Sequence, residues 1–175
     1  MFISLDGYIE GPGKQMAPPA YSPDLQKHWL DRNVERAGTM LYGRVAYEGM
    51  AAFWTSPTAP AEEAAALAAM DKVVFSRSLQ RADWGRVSIV RDDIPAEIAR
   101  RKAEAGKDMV VIGGADIART LLGMSLIDEL CLLVSPVLLG GGTRLFEGGH
   151  DKLALQLAEA LPFDSGAVRL TYLKQ

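Results

Sequence analysis

The feature that most constrains this chain is an alternation. Short apolar runs each hand over to a helical pattern, and glycine or serine marks several of the handovers. "TMLY" runs into "RVAYEGMAAF" through Gly43, and "MVVI" runs into "ADIARTLLG" through Gly113 and Gly114. "KVVF" ends in the turn "SRSL", and "VSIV" precedes "IPAEIARRKAEAG", read as a helix ending at Gly106. Apolar runs without polar alternation are what strands buried on both faces look like. Parallel neighbours need a crossover, and a helix supplies it. The pattern therefore calls for an α/β fold built on a mostly parallel sheet.

The remaining segments complete that reading. "FISL" is a first strand. "SPDLQKHWLDRNVERAG" reads as a helix, with Ser22 as cap, Pro23 in the first turn and Gly38 as stop. Glu62–Met70 reads as an Ala-rich helix with acids in its first turn. "IDELCLLVSPVLL" is a long strand broken at Pro136. "LALQL" and "GAVRLTYL" alternate with period two and have no helix between them, so the sheet should be mixed, with antiparallel C-terminal strands. A chain of 175 residues suits a single domain, 1–175, with a real core. It carries no internal repeat.

Composition excludes some classes of function. The net charge is −3 and the basic residues do not gather in one run, so no footprint for nucleic acid or an acidic membrane is present. No apolar stretch approaches the length of a bilayer span. "MFISLDGY" has no basic region followed by a long apolar run, so no signal peptide is expected. Cys131, the one cysteine, sits in "LCLLV" and is expected to be a buried, inert thiol. An intrachain disulfide is impossible, which fits a cytoplasmic protein.

Ligands bind such sheets at the carboxyl ends of strands. Gly113 and Gly114 stand at one of these ends. They would let backbone N–H groups approach a phosphate and leave the next helix N-terminus open. The other reading is a tight turn that needs positive φ. No G-x-G-x-x-G occurs at 113, and no G-x-x-x-x-G-K-[ST] occurs anywhere. Two further handovers repeat the theme. Arg44 opens a helix after Gly43, where its guanidinium could fork onto phosphate. Ser76, Arg77 and Ser78 place a guanidinium between two hydroxyls, a grip for a monoester phosphate. Taken singly each arginine also reads as a solvated surface residue.

In this order the segments "SLDGYI", "YGRVAYEGM", "KVVFSRSL", "VVIGGADIA", "IDELCLLVSPVLLGGGTRLF" and "SGAVRLTYL" resemble the dihydrofolate reductase superfamily. The resemblance is to the branch holding the reductase domain of the bifunctional riboflavin-biosynthesis deaminase-reductase. It implies a three-layer α-β-α sandwich that binds NADPH. By this likeness Gly43 and Arg44 would meet the cofactor phosphates. Ser76 and Arg77, with Ser78 on the same turn, would hold the 2′-phosphate. Gly113, Gly114, Ala115, Asp116 and Ile117 would cradle the pyrophosphate, with the Asp116 side chain pointing out. A homodimer and a planar nitrogen-heterocycle substrate, a pterin or an aminopyrimidine, are implied as well; no metal is.

Three departures stand out. Ala46 replaces the family's threonine, Ile112 stands where riboflavin-type domains carry glutamate, and the residues before "SLDG" make only a short first strand. Hydride transfer needs position and desolvation more than a protein nucleophile. A carboxylate to orient the substrate is Asp24 if the first helix is aligned by "DL", whereas ungapped counting from Gly43 selects Lys27. Asp24 could equally complement the helix dipole. Asp6 in "SLDGYI" is the other candidate, beside a plain Asp-Gly turn. Trp29 and Trp54 read as core residues or as walls for a planar substrate, and "LLGGGTRLFEGG" as a structural turn. A binding protein without turnover is the alternative function.

Overall fold

The computed structural model describes residues 1–15, 18, 22–148 and 152–175. In chain order its elements are β1 (Phe2–Ser4), β2 (Tyr8–Glu10), α1 (Pro23–Leu30), β3 (Ala37–Gly43), α2 (Arg44–Trp54), α3 (Ala61–Ala69), β4 (Asp71–Phe75), β5 (Val87–Val90), α4 (Ile94–Lys102), β6 (Asp108–Val111), α5 (Ala115–Gly123), β7 (Glu129–Ser135), β8 (Thr143–Arg144), β9 (Leu155–Pro162) and β10 (Val168–Lys174). The fold is α/β. The chain packs as two compact units, Trp29–Ile117 and Met1–His28 with Ala118–Gln175.

Unit Trp29–Ile117 is the parallel part. Its sheet runs β5-β4-β3-β6, and every pair is parallel. The apolar runs of β3 and β4 fill its middle, so Met40, Tyr42, Val73 and Val74 are fully buried. Tyr42, Tyr47 and Trp84 form an aromatic cluster with ring centroids 6.1–6.2 Å apart. The Trp84 backbone N–H donates to the Tyr47 hydroxyl at 3.0 Å. Burial pushes the Tyr42 phenol well above its ordinary pKa. Trp29 and Trp54 pack against this core.

Lys72 is the unit's buried cation, 1% exposed. Its ammonium donates to the carbonyls of Leu67 (2.7 Å), Met70 (2.8 Å) and Ala68 (3.3 Å), which end α3, and lies 4.5 Å from the Trp84 ring centroid.

Unit Met1–His28 with Ala118–Gln175 holds a mixed sheet in the order β1-β7-β10-β9. β1 runs parallel to β7, and the two C-terminal strands run antiparallel. Leu25 of α1 packs there with Leu133, Phe163 and Ala167. A short antiparallel pair, β2 with β8, was not expected from the sequence. Arg144 lies over the Tyr8 ring, 4.6 Å from its centroid, and its guanidinium donates to the Tyr8 hydroxyl. Gly142 is indispensable to this pair, because a Cβ on it would sit 2.0 Å from the Glu10 carbonyl oxygen. The triple glycine is therefore a structural turn; Gly149, at the end of that stretch, lies outside the described residues.

Several boundaries differ from expectation. The first long helix ends as an α-helix at Leu30 and widens into a π-helical turn, Asp31–Arg36. Gly38 is not its stop. It lies within β3, where the register against β6 shifts and a Cβ would meet Lys107 Cβ at 3.0 Å. A bulge, not a cap, explains this glycine. α4 stops at Lys102, before Gly106. "LALQL" starts β9 late, and the strand continues through Pro162. Cys131 is half-buried in β7, less enclosed than expected.

Candidate functional site

In the parallel unit three strand ends lie side by side. Gly43 at the end of β3 is level with Phe75 of β4, and Leu41 is level with Val111 of β6. The turns Gly43–Arg44, Ser76–Ser78 and Ile112–Gly114 therefore leave adjacent strands on one edge, with β3 in the middle. Residues far apart in sequence are brought together here.

The charge distribution on the helices singles out this edge. α1, α3, α4 and α5 each carry an acid in the first turn, which suits the positive end of the helix dipole. α4 also has Asp93 as a side-chain cap, accepting from the Ala96 N–H at 3.2 Å. α2 has neither. Gly43 supplies no side-chain cap, no acid sits in the first turn, and Arg44 adds a cation where the dipole is already positive. Its guanidinium donates to Glu48 one turn on, at 2.8 Å. Such a helix start is electrostatically suited to an anion.

The glycine pair faces that start. Gly113 and Gly114 have φ +77° and +86°, so both need glycine for conformational reasons. Close approach applies as well. A Cβ on Gly114 would meet Ala46 Cβ at 3.2 Å and Ile117 Cγ2 at 3.4 Å, whereas one on Gly113 would have only Ala46 Cβ, at 3.9 Å, nearby. Gly43 in turn lies against Ile117. The first turns of α2 and α5 thus converge on small residues. Ala115 and Ile117 are buried, and Asp116 is exposed.

The third turn is organised by Ser76, expected from the sequence, and by Arg91 and Asp92, which the sequence did not announce. The Ser76 hydroxyl accepts from the backbone N–H groups of Ser78 (3.2 Å) and Leu79 (3.0 Å). Arg91, just past β5, donates to the carbonyls of Arg77 (3.0 Å) and Leu79 (3.1 Å). Asp92 accepts from Arg77 Nε at 3.2 Å. β5 pairs with β4, so an acid fifteen residues downstream of Arg77 stands beside a turn that looked free of acids up to Asp83. The signal was available in the strand–strand adjacency, not in local spacing.

Asp6 and Asp24 belong to the other unit, and their carboxylates are engaged there. Asp6 accepts from the Ser4 hydroxyl (2.6 Å) and from the backbone N–H groups of Gly140 (2.8 Å) and Leu139 (3.1 Å). These bonds, the Ser4 hydroxyl foremost, lower its pKa to about 2. Asp6 thus clasps the β1 turn to the glycine-rich turn after β7. The Ser22 hydroxyl and then the Asp164 backbone N–H lower the pKa of Asp24, which ties the start of α1 to the β9–β10 turn. A buried Arg169 on β10, bonded to Glu159 and His28, is a further polar cluster that the sequence did not announce.

Comparison with known proteins agrees with this fold. The family model of the RibD C-terminal domain matches residues 1–169. The chain is 28% identical to the uncharacterized protein YyaP of Bacillus subtilis (strain 168) over 173 residues, covering 97% of this chain and 90% of that one. It is 28% identical to YwjB, also uncharacterized and from the same organism, over 136 residues, covering 78% and 73%. A crystal structure from Shewanella sp. PV-4, of a protein provisionally assigned to riboflavin biosynthesis, superposes with TM-score 0.76 at 21% identity, covering all of this chain and 96% of that one. Enterococcus faecalis dihydrofolate reductase, solved with NADP(H) and the compound RAB-propyl, superposes with TM-score 0.64 at 17% identity, covering 99% and 93%. These likenesses establish a dihydrofolate reductase-like fold.

Proposed function

The chain belongs to the RibD C-terminal domain family, and from that premise we propose that it is an NADPH-dependent reductase acting on a planar nitrogen heterocycle, a pterin or an aminopyrimidine. The observation that carries the reading is the row of strand ends β4-β3-β6, with its uncapped helix start, its arginine at that start and its two positive-φ glycines. The residues fit a dinucleotide. The Gly113–Gly114 turn and Ala46 leave room for backbone to approach a pyrophosphate, which side chains at the glycines would fill. Arg44, once turned from Glu48, offers a fork of charged donors. Arg77 stands where a 2′-phosphate would be held, with Ser76 and Ser78 on its turn.

When bound, the dihydronicotinamide supplies a hydride. The protein supplies position and charge. Neither Asp6 nor Asp24 suits proton delivery near neutral pH. Both carboxyls are held ionised by bonds to the structure around them. This favours one second reading, nucleotide binding without turnover. Titration with NADPH, followed by its oxidation against a panel of dihydropterins and aminopyrimidines, tests both. Binding with oxidation is expected; binding without oxidation by any of them supports the second reading; no binding refutes both.

A further inference from the structure

The turn after β4 is more than a cation site. β4 and β5 end level, with Phe75 opposite Val90, so Ser76–Ser78 and Arg91–Asp92 leave the sheet together. The Arg77 and Asp92 side chains are 84% and 75% exposed. An ion pair this open is weak and is easily exchanged for a better partner. Arg91 is fixed differently. Two of its donors go to backbone carbonyls of the turn, and among the described residues it has no carboxylate partner. The turn thus joins two guanidinium groups and one carboxylate, and the carboxylate occupies the Nε donor of Arg77.

A 2′-phosphomonoester carries close to two negative charges near neutral pH. To use Arg77 fully it must displace Asp92 and then tolerate that carboxylate nearby. A free 2′-hydroxyl meets no such opposition, and a carboxylate at a strand end can accept its hydrogen bond. We propose that Asp92 is a specificity-determining residue that narrows the margin by which this protein prefers NADPH over NADH, with Arg91 as the positioning residue that holds the turn. The proposal rests on the reading of these strand ends as a dinucleotide site.

The test is binding, without substrate. Wild type, Asp92→Asn and Asp92→Ala are each titrated with NADPH and with NADH at low salt. Both variants are expected to raise the NADPH-to-NADH affinity ratio by about 3–10-fold, through tighter NADPH, weaker NADH or both. In a protein that also carries Arg77→Ala the gain should shrink. A ratio unchanged or lowered in both variants, with wild type binding normally, overturns the role of Asp92 and leaves the dinucleotide site standing. A gain undiminished without Arg77 overturns the pairing on which the role is built. Failure of wild type to bind either nucleotide overturns the site and this inference with it.

Discussion

Replacing Gly113 and Gly114 separately by alanine resolves the two reasons for a glycine pair. Both have positive φ, so each alanine incurs the left-handed penalty of roughly 1–2 kcal/mol. For a chain of this size that lowers Tm by about 2–8 °C. The surroundings differ. The new methyl at 114 would stand 3.2 Å from Ala46 Cβ and 3.4 Å from Ile117 Cγ2, on two different helices. Neither neighbour is the end of a flexible side chain, so overpacking adds about 1 kcal/mol or more. The methyl at 113 would meet only Ala46, at an ordinary 3.9 Å, and otherwise enters open space. Gly114→Ala should therefore melt lower than Gly113→Ala. Gly113→Ala should keep the fold yet weaken NADPH, because its methyl occupies the approach to the backbone. Calorimetric melting and NADPH titration on the same preparations give both readouts. Gly114→Ala melting at or above Gly113→Ala would refute the packing argument. Unaltered NADPH affinity in Gly113→Ala would return the pair to a turn with no ligand.

Three other outcomes are expected. Burial lowers the Lys72 pKa to about 8 from 10.5, so the folded state holds that proton less tightly than the unfolded one; wild-type stability should rise relative to Lys72→Met by about 2–4 kcal/mol between pH 8 and 10.5, and parallel denaturation curves across that window would refute it. The lowered Asp6 pKa stabilises the fold above about pH 4 and is lost as pH falls toward 2, so Asp6→Asn should flatten acid unfolding in that range, a difference that urea titrations at stepped pH measure. Ala46→Thr places a hydroxyl opposite the glycine turn and should tighten NADPH about tenfold, as one well-made hydrogen bond to a charged group does; unchanged titration curves would place residue 46 away from the phosphates.

What the sequence made legible was local. Gly43, Arg44, Gly113 and Gly114 each sit at the handover that their own neighbours define, and periodicity alone locates such points. The order in which the strands line up was not local. Arg77 and Asp92 are fifteen residues apart and touch because β4 pairs with β5. Gly38 was misread for the same reason. A glycine after a helical run looks like a stop, but this one sits at the register shift between β3 and β6, against Lys107. The β2–β8 pair escaped because its strands are two and three residues long, too short to show a period.

Carboxylates show the same division at the level of chemistry. Asp6 and Asp24 were singled out because the proposed chemistry can use an acid, and a sequence offers residue type and alignment but not hydrogen bonding. An acid that serves catalysis must keep a lone pair for the substrate or a proton to give. Asp6 gives its oxygens to a hydroxyl and two backbone N–H groups, and its low pKa follows from those bonds. Asp24 is bonded to the turn at Asp164. Asp92, unremarked in the sequence, has one exposed and weak partner and is free to exchange it. Asp6 and Asp24 thus each brace a turn, whereas Asp92 holds only an exposed pair. The carboxylate left open to exchange is Asp92, on the turn proposed to meet the nucleotide.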